Sequence, residues 1–152
     1  MRQIICITIG AIFFSAISCK NTSAQEKFSE EKIKEMLESF YTSYITVNSI
    51  ADRKKSDSVV RKYCTPKLVD YINKLYSEPS DGDSYDIFLK SQMVDMPMLE
   101  NLAIRKDSKK NDLYYVSITY GKGQWTIKLS VVKEKDAYKI DHVFTEGVDE
   151  KK

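Results

Sequence analysis

The stretch Leu113–Val132, LYYVSITYGKGQWTIKLSVV, decides the fold. Tyr114, Val116, Ile118 and Tyr120 fall on one face of an extended chain. After a break, Trp125, Ile127, Leu129 and Val131 do the same, opposite Thr126, Lys128 and Ser130. A period of two marks a half-buried strand, and the short GKG connection, Gly121 to Gly123, marks a hairpin. GKG has neither the length nor the following helix of a phosphate loop. Polar residues on the second face predict a sheet covered by helices on one side only.

Working outward, Leu102–Lys106 reads as a strand before the hairpin and AYKIDHVF as one after it, with Tyr138 and Ile140 inward and His142 in the same register. The links KDSKKND and KEKD are short and polar, which suits an antiparallel meander of four strands.

Upstream the period lengthens. Ile33, Met36, Leu37, Phe40, Tyr41, Tyr44, Val47 and Ala51 form a helical stripe. Phe28 staples its start, Ser29 caps it, and Glu30 and Glu31 suit its positive end. DRKKSDS interrupts the stripe, and Ser56 can cap a second helix bearing Val59, Val60 and Tyr63. Thr65-Pro66 restarts the pattern, a capping hydroxyl before proline at the first helical position. Leu68, Val69, Ile72, Leu75 and Tyr76 mark the inner face of that third helix, and EPSDGDS ends it. A short helical or extended piece is expected around Ile87 to Leu89, and a turn at Pro97. Three helices ahead of four strands predict one α+β domain over residues 28–146, its helices packed on one face of a curved antiparallel sheet, with a polar tail at 147–152.

The N-terminus carries an address. Arg2 precedes a run, Ile4 to Ile17, whose only polar side chains are Thr8 and Ser15. The run is too short for a membrane span, which needs about 20 apolar residues. It reads as a signal peptide over residues 1–18. AISC, ending in Cys19, resembles a bacterial lipobox, with Ala16 where leucine is usual. Residues 19–27 would then be a lipidated cysteine and its tether, and the protein an exported lipoprotein held to a membrane facing the periplasm or cell surface. Cleavage after Ala24 in TSAQ is the competing reading. Either way Cys6 and Cys19 leave Cys64 without a disulfide partner.

The 24 basic and 22 acidic residues nearly balance, and removal of Arg2 brings them closer. Nucleic-acid binding calls for a far more basic domain. Ten tyrosines, six phenylalanines and one tryptophan are available for packing.

The segments FYTSYI, RKYCTPKLVDYI, DGDSYDIFLKSQ and YKIDHV, behind an export signal, resemble the domain of unknown function 3828 family of exported bacterial proteins and lipoproteins. The resemblance spans Phe28 to Phe144 and is most specific at YDIFLKSQ; Tyr138 stands where that family usually has tryptophan. It implies a cystatin- or nuclear-transport-factor-2-like fold, a curved sheet wrapping a long helix, and carries over no activity.

The residues offer little catalytic chemistry. One histidine and one retained thiol do not build a structural zinc site, so neither metal nor cofactor is expected. Asp81, Asp83 and Asp86 lack the spacing of a calcium-binding loop. Cys64 lies just before a helix start, with His142 as a conceivable base, but its apolar neighbours favour a packed thiol. Asp86, Asp95 and Asp141 are the acids near turns and strand ends that a cleft could use. The binding candidates are Tyr41 and Tyr44 on the long helix, Tyr85, Asp86 and Gln92 on the linking segment, and Trp125 on the central strand, all facing a cleft between helix and sheet. Core filling is the simpler role for most of them.

The expected function is a non-catalytic envelope module binding a protein or small ligand. The alternatives are an envelope hydrolase or isomerase using a cleft carboxylate, or an immunity-type inhibitor. The outer sheet face, with Thr126, Lys128 and Ser130, leaves a homodimer open.

Overall fold

The computed structural model describes residues 22–77 and 85–145, with side chains from Ser29 onward. Cys19, Asp81, Asp83 and the 147–152 tail lie outside the described residues. Three helices come first: α1 (Thr22–Ser49), α2 (Arg53–Tyr63) and α3 (Pro66–Ser77). A 3₁₀ turn at Met96–Leu99 leads into β1 (Leu102–Lys106), β2 (Leu113–Tyr120), β3 (Gly123–Glu134) and β4 (Ala137–Phe144). The strands form one antiparallel sheet in the order β1-β2-β3-β4, the meander that alternation predicts.

Burial follows the alternation. Tyr114, Val116 and Ile118 on β2 and Ile127, Leu129 and Val131 on β3 are buried, while the residues between them are not. Leu37, Phe40, Tyr41 and Ile45 of α1 complete the core with Leu68, Val69 and Ile72 of α3. The helices therefore pack against one face of the sheet, an α+β fold.

Local details depart from the sequence reading. α1 begins at Thr22, inside the segment read as tether. Nothing between Thr22 and Phe28 breaks a helix, and Ala24, Gln25, Glu26 and Lys27 all favour one. Ser29 thus sits within the helix and cannot cap it; its Oγ is 2.5 Å from Tyr138 Oη. At the other end Ala51 is outside the helix. It has φ 55°, its amide bonds Asn48 O, and the next amide, Asp52, bonds Val47 O. That is a Schellman stop, with alanine where glycine is usual. The chain leaves it directly into α2, so Asp52 rather than Ser56 is the cap, accepting from Lys55 N at 3.1 Å. Ser56 is buried inside the helix.

Gly121, φ 60°, opens the two-residue turn between Tyr120 and Gly123. β4 contains a bulge: Ser130 pairs with His142 but Val131 with Ile140, leaving Asp141 as the extra residue. The bulge reverses the phase, so Val143 is the next buried residue after Ile140. His142 is therefore on the outer face, its ring 4.6 Å from Phe144, and not in register with Ile140. The α2–α3 junction runs along the edge of β4, where Cys64 bridges Ile140 and Thr65 N donates to Ile140 O at 2.9 Å.

Candidate functional site

The segment after the third helix is anchored at Asp86. Its backbone carbonyl accepts from Leu89 N and Lys90 N, and its own amide reaches Ser91 O. The chain therefore closes into a compact turn that drives Ile87, Phe88 and Leu89 into the core. Asp86 Oδ1 accepts from Phe88 N at 2.8 Å and Leu89 N at 3.1 Å, and Oδ2 accepts from Tyr44 Oη at 2.5 Å. Tyr76 Oη accepts from Ile87 N at 3.4 Å. Aspartate suits this place because its short side chain reaches the amides two and three residues on.

Burial raises the Asp86 carboxyl above its ordinary range, and the bonds from Tyr44, Phe88 and Leu89 oppose that rise. Burial and the neighbouring Asp86 push the Tyr44 hydroxyl well up. The pair is thus a neutral phenol donating to a carboxyl group whose acceptor sites are largely engaged.

The predicted binding residues do not converge on a cleft. Leu37, Phe40, Tyr41, Tyr114, Ile118 and Ile127 have no exposed surface, so the space between α1 and the sheet is filled. Tyr41 is a core residue: its ring meets Phe40 edge-on, and its hydroxyl is buried without a hydrogen-bond partner among the described residues. Tyr44 stacks on Phe40 with its hydroxyl committed to Asp86. Trp125 lies half-buried over Gly123, its indole nitrogen enclosed and likewise unpartnered. Tyr85 and Gln92 are exposed. The structure joins Tyr44 to Asp86; it leaves Tyr41, Trp125, Tyr85 and Gln92 in separate settings.

The other acids are tied in the same way. Asp95 caps the 3₁₀ turn through Met96 N and accepts from Tyr120 Oη at 2.7 Å. Asp141 accepts from Thr65 Oγ1 at 3.0 Å, while Thr65 Oγ1 accepts from Leu68 N as the cap of α3. Sequence reasoning missed a third tyrosine–aspartate pair, Tyr115 Oη to Asp107 Oδ2 at 3.0 Å. Asp107 also accepts from Lys109 N and Lys110 N, and these bonds hold its carboxyl below the usual range. An aspartate just after a strand, near a tyrosine on the next strand, was the available signal.

Cys64 and His142 form no dyad. The thiol is buried, its pKa pushed up to about 12 by that burial, whereas His142 is on the opposite face of the sheet. Among the described residues no three metal-ligating side chains gather. No described helix is long and apolar enough to cross a membrane.

Several exposed aromatic residues remain. Tyr71 of α3 and Tyr85 keep large exposed surfaces, and so do Leu75 and Tyr76, expected on the inner face of α3: burial ends at Ile72, and the Tyr76 hydroxyl instead reaches the Asp86 turn. Exposed aromatic residues of this kind are able to serve as contact points.

The chain matches no protein-family model and no curated protein. It is similar to one solved structure, a protein of unknown function from Bacteroides thetaiotaomicron VPI-5482. The two are 22% identical over 82% of this chain and 97% of that one, with a TM-score of 0.67. That likeness concerns the fold.

Proposed function

We propose that this is an exported, lipid-anchored protein whose domain is a non-catalytic binding module at the cell envelope. The observation that carries the reading is the fate of the acids. Asp86, Asp95 and Asp141 each hold the fold together, and the cleft that would have used them is filled. A general acid or base needs an open path to a substrate atom. The exposed aromatic residues Tyr71, Tyr76 and Tyr85 suit protein contact instead, because tyrosine combines apolar area with a polar tip. The anchor is the lipobox-like AISC, and membership of the domain of unknown function 3828 family is part of the same proposal.

Two measurements test it. Metabolic labelling with a palmitate analogue is expected to mark the wild type and not Cys19→Ala; equal labelling overturns the anchor. Affinity capture from membranes, read by mass spectrometry, is expected to enrich a partner above the Cys19→Ala control. Absence of any enriched partner argues against binding.

A further inference from the structure

The outer face of the sheet carries one cross-strand row with an unusual order. Register aligns Arg105 with Tyr115, Tyr115 with Lys128, and Lys128 with Phe144. Cations and rings alternate across all four strands. The Arg105 guanidinium lies 4.8 Å from the Tyr115 ring centre, and Lys128 Nζ lies 4.6 Å from that of Phe144. Each ring is itself fixed: Tyr115 by its bond to Asp107, Phe144 by the edge of His142. The two cations are therefore held in place, which lowers the entropy lost when they take a ligand.

Charge and ring occupancy select the ligand. Along the outward row of β2 and β3 (Tyr115, Ser117, Thr119, Gln124, Thr126, Lys128, Ser130 and Val132) no residue is acidic; Glu134, at the far end of β3, is the acid that the alternation adds. Asp107, just after β1, is engaged by two amides and Tyr115 and also attracts Arg105. The ring faces already carry cations, so they are poor platforms for stacking bases or sugars. What the row offers is two fixed donors to carboxylates, about 10 Å apart because they stand two strands apart. In a polyproline-II-like extended segment, with three residues per turn and about 3.1 Å rise per residue, carboxylates three residues apart lie on one side with a similar separation of about 9 Å.

We propose that this face binds an extended acidic segment of a partner protein, with Arg105 and Lys128 each taking a carboxylate. The proposal rests on the binding role argued above and names its partner chemistry.

The test is a fluorescence anisotropy titration at low ionic strength with a labelled peptide of four Glu-Gly-Ser repeats. A Gln-Gly-Ser peptide is the control. The glutamate peptide is expected to bind, more weakly as salt rises, and the glutamine peptide not to bind. Arg105→Gln and Lys128→Gln are each expected to weaken binding at least about fivefold, with Arg105→Lys falling between Arg105→Gln and wild type. Lys74→Gln removes equal charge from α3 and is expected to change binding less than about twofold. Equal binding of both peptides, equal loss in Lys74→Gln, or tighter binding of a single-stranded oligonucleotide or anionic vesicles overturns the assignment. A captured membrane partner indifferent to Arg105→Gln overturns this surface while leaving the binding role intact.

Discussion

Tyr44 and Asp86 meet at 2.5 Å, a phenol on the long helix donating to a carboxylate 42 residues away. This contact pins the turn carrying Ile87, Phe88 and Leu89 against α1. The pH signature of this turn comes from the burial of Asp86, which the Tyr44 bond opposes. The folded pKa of Asp86 lies above the unfolded value, so the folded state holds its proton more tightly. Its contribution is fully present below the unfolded pKa and is lost as pH rises through the folded one. Asp86→Asn keeps an acceptor for both amides and removes the titration. The stability gap in favour of Asp86→Asn is expected to widen as pH rises above the ordinary carboxyl range, read from urea midpoints across pH. Tyr44→Phe leaves Asp86 Oδ2 without its donor and is expected to cost about 1–3 kcal/mol. A variant as stable as wild type would show that the bond contributes nothing.

Ala51 closes α1 with φ 55°, where its Cβ is strained. Ala51→Gly is expected to raise stability by about 1 kcal/mol, because the αL region costs a side chain about that much. Thermal denaturation decides the sign. A lower Tm for the glycine variant would mean that unfolded-state entropy outweighs the relief of strain.

Cys64 is the buried free thiol of the domain, with a pKa pushed up to about 12. A thiol-specific reagent at pH 8 is expected to label native protein far more slowly than protein in denaturant. Rapid labelling of the native state would contradict the packing of the α2–α3 junction.

Gly123 has no space for a side chain. A Cβ there would stand 2.6 Å from Cζ3 of Trp125, a rigid ring atom. Gly123→Ala is expected to displace the indole, shift its emission, and cost about 1–3 kcal/mol. Unchanged Trp125 fluorescence would refute the contact.

The four strands and three helices were legible because each rests on a local rule. Side-chain direction repeats every two residues in a strand and about every 3.6 in a helix. Tyr114, Val116 and Ile118 therefore declare their face without knowledge of their neighbours, and Thr65-Pro66 declares a helix start. The same rules failed where the backbone broke its own period. The bulge at Asp141 turned His142 outward, and the Schellman stop at Ala51 moved the cap of α2 from Ser56 to Asp52.

The sequence by itself determined the order of elements and the inward face of α1, β2 and most of β3, and it carries an N-terminal stretch with the pattern of an export signal. Only the tertiary structure decided what the polar side chains do. Tyr41 and Tyr44 are three residues apart on one helix face, yet one is sealed in the core and the other holds a carboxylate. Ser29 finds its partner 109 residues away, and Asp95, Asp107 and Asp141 find theirs across loops and strands. The physical reason is range. Apolar burial is non-directional and follows local periodicity, whereas a hydrogen bond needs two particular atoms within about 3 Å, and only the folded chain brings them there.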